Sequence, residues 1–67
     1  MKNIYKVYMR DDGGAISESA GKFASRENAK KAIKKYYRIA ERGARKILAW
    51  KIVNTLTGEV VEQSGRM

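Results

Sequence analysis

The chain contains no cysteine and no histidine among its 67 residues. Without cysteine there is neither a disulfide staple nor a thiolate zinc site. Without histidine the commonest metal ligand and the commonest general base are both missing. Acidic side chains are scarce as well: seven Asp and Glu stand against 15 Lys and Arg, giving a formal net charge of +8 and a pI near 10.1. No apolar run approaches the roughly 18 residues that a membrane span needs, and the opening MKNIYK lacks the apolar core of a signal peptide. Ser17, Ser19, Ser25 and Ser64 have no histidine to activate them, and neither a glycine-rich phosphate loop nor a pair of catalytic carboxylates is present. These absences set the expectation of a cytoplasmic protein that is not an enzyme and has no cofactor, metal, membrane contact or small-molecule substrate. A chain this short is expected to form one domain over residues 1–67, and it buries only about 60% of the surface its unfolded form exposes.

What the chain does have is organised around residues 25–42, SRENAKKAIKKYYRIAER. Ala29, Ala32, Ile33, Tyr36 and Ala40 recur at spacings of three and four, which gathers them into one stripe on a helical period. Ser25 can cap the first amides, and Glu27 sits favourably against the positive helix end. Gly43 is expected to take the left-handed turn that stops the helix. Opposite the stripe fall Lys30, Lys31, Lys34, Lys35, Arg38 and Arg42. Residues 25–42 hold seven basic and two acidic side chains, net +5 of the chain's +8.

The flanking segments read as strands. Residues 3–10 alternate, with Tyr5, Val7 and Met9 on one face and Ile4, Lys6, Tyr8 and Arg10 on the other. Asp11, Asp12, Gly13 and Gly14 form a turn, and solvation of the two aspartates is expected there rather than a bound cation. Residues 15–24 form a weaker edge strand with a bulge at Gly21. In residues 47–54, ILAWKIVN, Leu48, Trp50 and Ile52 point one way and Ile47, Ala49 and Val53 the other, as expected of a central strand covered on both faces. Thr55-Leu56-Thr57-Gly58 resembles the first hairpin turn of ubiquitin, which implies a type I turn closed by a glycine bulge. That register sets Val53 against Val61 and Asn54 against Val60, with residues 59–63 as the return strand. Residues 64–67 are expected to fray.

The predicted architecture is therefore α+β in the order ββαββ: a mostly antiparallel four-stranded sheet with one helix packed on one face. One helix cannot cover two apolar faces, so some sheet surface is left open, shared with a second copy in a homodimer, or reserved for a partner.

The basic helix face carries the functional expectation. Lysine and arginine are good helix formers that keep a small protein soluble, so a charged outer face can be solvated and nothing more. Against that, Lys30 with Lys34, Lys31 with Lys35, and Lys34 with Arg38 are like charges four apart, each costing a few tenths of a kcal/mol. The expected partner is nucleic acid, above all the backbone of double-stranded DNA, with Arg26 and Asn28 at the amino end within reach of base edges. The competing expectation is a protein-interaction module, of the kind carried by phages and mobile elements, that inhibits an acidic or nucleic-acid-handling host protein. Tyr8, Tyr37 and Trp50 are the aromatics that can form an exposed patch, either for stacking single-stranded bases or for a dimer contact.

Overall fold

The computed structural model describes residues 3–19 and 21–65. Met1, Lys2, Ala20, Arg66 and Met67 lie outside them, and with them one residue of the expected second strand and two of the expected frayed tail. The elements are β1 (Tyr5–Asp11), β2 (Ile16–Glu18), α1 (Arg26–Arg42), β3 (Ile47–Asn54) and β4 (Glu59–Ser64). They form one sheet in the order β2-β1-β3-β4, every neighbouring pair antiparallel, so the fold is the ββαββ arrangement that the patterning predicts. Because β2 and β3 both run against β1, they are parallel to each other with β1 between them. A tight turn cannot join parallel strands, so the chain must cross the sheet, and α1 is that crossing.

Alternation in β1 sends Tyr5, Val7 and Met9 toward the helix. Val7 sits opposite Ile52 and Met9 opposite Trp50, so the same face of β3 joins them. Ala29 and Ile33 close over this floor, and Val7, Met9, Ala29, Ile33 and Ile52 make up the buried cluster. Ala29 has no exposed surface, and its small side chain is what lets the helix approach the sheet closely. Val7 and Ile52 are fully buried, worth roughly 1.5–3 kcal/mol each at the usual rate for burying a side chain of this size.

At the amino end of α1, Ser25 is the N-cap: its Oγ accepts from the Asn28 N–H at 3.1 Å. The carboxyl end differs from expectation by one residue. Gly43 has φ −89°, and the left-handed residue is Ala44 at φ 56°. The Arg45 N–H reaches the Ala40 carbonyl and the Ala44 N–H the Glu41 carbonyl, the paired bonds that close a helix around a left-handed residue. The glycine thus stands one place too early to relieve the strain.

Bulges account for the differences in the sheet. β2 is only three residues long, because Ser19 replaces the next rung: its N–H donates to the Val7 carbonyl while its buried Oγ accepts from the Val7 N–H at 3.2 Å and donates to the Gly21 carbonyl at 2.7 Å. Pairing with β1 resumes only at Phe23, opposite Tyr5. In β3, Arg10 pairs with Ala49 but Asp11 with Ile47, so Leu48 is looped out and 59% exposed while Ile47 turns to the core. The expected parity of residues 47–49 is thereby broken. In the final hairpin Val53 pairs with Val60 and Asn54 with Glu59, one residue away from the expected register, and the bulge lies at Val61 rather than at the turn. Gly58 still adopts positive φ there, at 76°. The tail stays attached further than expected: Ser64 pairs with Trp50, and a Cβ on Gly65 would come within 2.9 Å of the Ala49 Cβ. β3 is central but not covered on both faces, since α1 lies on one side only. Asp11 Oδ1 accepts from the Gly13 and Ala15 amides, so this carboxylate is engaged in organising its turn.

Two stability outcomes follow from these local arrangements. Ser19→Ala strands the Val7 N–H and the Gly21 carbonyl, and should cost about 1–3 kcal/mol, each kcal/mol lowering the melting temperature by roughly 4–8 °C in a domain this small. Ala44→Gly removes the left-handed strain and should stabilise by about 0.5–1 kcal/mol after allowance for backbone entropy. Thermal melts followed by circular dichroism read both, and an unchanged midpoint in either variant would overturn the corresponding account.

Candidate nucleic-acid interface

The register of α1 fixes which cations face outward. At about 100° per residue, the side opposite Ala29 and Ile33 carries Lys31, Lys35, Arg38 and Arg42, and all four are exposed. Lys30 and Lys34 lie on the flank toward β4, beside Tyr37. Arg26 and Asn28 are exposed at the amino end of the same helix, next to the Ser25 cap. Ile39, on the flank toward β2, is 56% exposed. Six of the expected contacts thus share one rod-like surface, with Arg26 and Asn28 at its end.

Lys30 is the exception among these cations. Its ammonium lies 2.8 Å from Glu62 Oε2, with the two side chains 50% and 31% exposed. The bulge at Val61 explains the meeting: an extra residue in one strand turns two neighbours toward the same side, so Val61 reaches the core while Glu62 reaches the helix. Glu62 Oε2 is shut off from water and has no partner in hydrogen-bond geometry, so the nearby positive charge is what offsets its desolvation. Lys30 is thereby held by the protein's own carboxylate instead of standing free for phosphate. The pairing of Glu62 with Lys30 was hidden in the sequence, because it depends on a one-residue shift that composition does not record.

Among the described residues the other ion pair joins Lys6 to Glu18 at 3.3 Å, on the far side of the sheet. Lys31, Lys34, Lys35, Arg38 and Arg42 have no carboxylate within salt-bridge distance among those residues. Glu27 and Glu41 sit near the two ends of the helix and leave its middle uniformly positive.

The three aromatics do not form one patch. Trp50, opposite Met9, packs against the core on the helix side. Together with Tyr37 it lines a groove between α1 and β4 that Lys30, Lys34, Glu62 and Gln63 complete. Tyr8 projects from the opposite face of the sheet, where its ring lies beneath the ammonium groups of Lys6 at 5.9 Å and Lys51 at 5.5 Å. The expected patch fails for a simple reason: Trp50 pairs with Met9, not with Tyr8, and adjacent residues of a strand face opposite ways.

No cluster of three or more metal-ligating side chains is found among the described residues, and no helix among them is long and apolar enough to cross a membrane. Comparison with protein-family models, curated proteins and solved structures finds no match to this chain.

Proposed function

We propose that this protein is a small basic module that binds nucleic acid, with the DNA backbone as its principal target, through the outer face of α1. The observation that carries the reading is the set Lys31, Lys35, Arg38 and Arg42, exposed along one helix face and without a carboxylate partner among the described residues. Lys34 stands at the edge of that set. Lys31 with Lys35 and Arg38 with Arg42 repel at a spacing of four, each pair costing about 0.2–0.5 kcal/mol on a helix. A surface that only needed solubility would gain by mixing signs, as Lys30 and Glu62 do.

A phosphate backbone answers each of these features. It offers closely spaced negative charge along a rod, and neutralising it releases condensed counterions. Side chains of this kind contact phosphate and carry little sequence information, so the binding is of modest selectivity. Arg26 and Asn28, exposed at the amino end of the helix, are the side chains proposed to add base contacts. The rigid scaffold beneath, fixed by Ala29 and Ile33, keeps the cations in register, which limits the entropy lost on binding.

Titration of a labelled duplex at several salt concentrations tests the reading. Four phosphate contacts give a slope of log affinity against log salt near −3.6, at about −0.9 per contact. Lys31→Glu combined with Lys35→Glu should reduce that slope by about two contacts and weaken binding at every salt concentration. Affinity indifferent to salt, or unchanged in the double variant, is incompatible with the proposal. Retention of host proteins from a nuclease-treated lysate, with no duplex binding, would favour the acidic-protein partner instead. Glu62→Gln frees Lys30, and should strengthen duplex binding and steepen the slope by up to about one contact; a slope that stays the same would show that Lys30 never reaches the backbone.

A further inference from the structure

The face of the sheet away from α1 carries a second set of cations around a single aromatic ring. Lys6, Tyr8 and Arg10 alternate along β1, Lys51 sits directly opposite Tyr8 in β3, and Val53 and Val60 continue the surface toward β4. Lys6 and Arg10 stand two residues to either side of the ring, about 7 Å away at a strand's rise. Glu18, opposite Tyr8 in β2, is a carboxylate on this face, and it is engaged with Lys6. Among the described residues no helix covers the surface around Tyr8; Ala49, opposite Arg10, is buried beside Gly65. We propose that this sheet face is a stacking platform for single-stranded nucleic acid, with Tyr8 under a base and Arg10 and Lys51, which have no carboxylate within salt-bridge distance among the described residues, at the flanking phosphates.

The inference rests on the reading of the protein as a nucleic-acid binder, and adds a second surface with a different form of ligand. Charge decides against the alternative of a second copy: Glu18 offsets Lys6, but two such faces brought together still set the unpaired Arg10 and Lys51 of one against those of the other, in a contact from which water is excluded. The occupant must therefore be anionic. It must also present something flat, because an aromatic ring stands at the centre of these charged side chains. A single strand offers both, with bases that stack on tyrosine and phosphates that follow the cations. The duplex does not fit this face, since its bases are already stacked on one another. Lysine stems are long and flexible, so Lys51 can leave the ring to a base and follow its phosphates outward, while Lys6 stays with Glu18 at the rim.

Tyr37 and Trp50 take no part in this surface, since both lie on the helix side. That separation makes the two binding modes independent in a mutational test. A short fluorescein-labelled oligothymidylate and a short duplex are titrated in parallel against the wild type, Tyr8→Ala, Tyr8→Phe, Lys51→Glu and the Lys31→Glu, Lys35→Glu double variant, each checked for folding by circular dichroism. Tyr8→Ala should weaken oligothymidylate binding about tenfold and leave the duplex affinity unchanged. Tyr8→Phe should retain binding, and Lys51→Glu, which leaves the ring in place, should lose it. Wild-type protein that binds duplex but not oligothymidylate overturns the platform alone. Oligothymidylate binding that depends on Tyr8, with no duplex binding, overturns the helix reading alone. Equal loss of both ligands in the helix double variant, with Tyr8→Ala silent, places the single strand on α1 and overturns the platform. Competition by poly-glutamate as effective as that by oligothymidylate overturns it too, assigning the face to an acidic peptide.

Discussion

Val7 and Ile52 face each other across the ladder between β1 and β3, and neither retains any surface open to water. The pairing sets more than the core. It decides that Met9 lies against Trp50, that Tyr8 lies against Lys51, and that α1 has a two-strand floor on which Ala29 and Ile33 can settle. A slip of one residue would exchange the faces of β3, sending Ile52 to solvent and Lys51 beneath the helix. The cost of burying a lysine there without a partner far exceeds that of any surface contact in the molecule, so the register is strongly specified. The Thr55 N–H and hydroxyl, both donating to the Ile4 carbonyl at 2.8 Å, pin one end of the same ladder.

One helix over the middle pair leaves both outer strands with an exposed edge. Edges of this kind invite pairing with other chains, and small sheets survive by making them short or irregular. β2 is three residues long and ends where Ser19 substitutes its hydroxyl for a backbone rung. β4 carries the bulge at Val61, which twists the edge and sends Glu62 inward to Lys30. Two of the irregularities in the sheet thus fall on its edge strands, while the third, at Leu48, lies between the central pair β1 and β3. They also shape the surface: the groove lined by Tyr37, Trp50 and Lys34 exists because α1 stops short of β4.

The helix was legible in the sequence at nearly every position, since its cap, stripe and cationic face are all local patterns with a period of their own. The four strands were legible as elements, and so was the division of β1 into two faces. What escaped was set by bulges. Leu48 and Ile47 exchange roles because one residue is looped out opposite Arg10 and Asp11, and no propensity marks the spot. The hairpin register differs by one at Val53 because the extra residue falls at Val61 and not at Gly58. Ala44 takes the left-handed position beside a glycine that was better suited to it. In the candidate site, the outward direction of Lys31, Lys35, Arg38 and Arg42 was readable from spacing alone. The capture of Lys30 by Glu62, and the separation of Tyr8 from Trp50, were not: both are consequences of which residues meet across strands.

The two cationic surfaces are divided by the same core that holds the fold together. The molecule measures 35 × 20 × 16 Å along its principal axes, and the helix and the open sheet face lie on opposite sides of the buried layer formed by Val7, Ile33 and Ile52. Screening in physiological salt acts over about 8 Å, so charges exposed on opposite sides of such a body interact weakly through solvent. Each set therefore repels mainly within itself, and an anion bound at one relieves little of the repulsion at the other. Were all the cations on one face, self-repulsion would bear on a single element of an already small domain. Distributing them across helix and sheet spreads that strain over two elements.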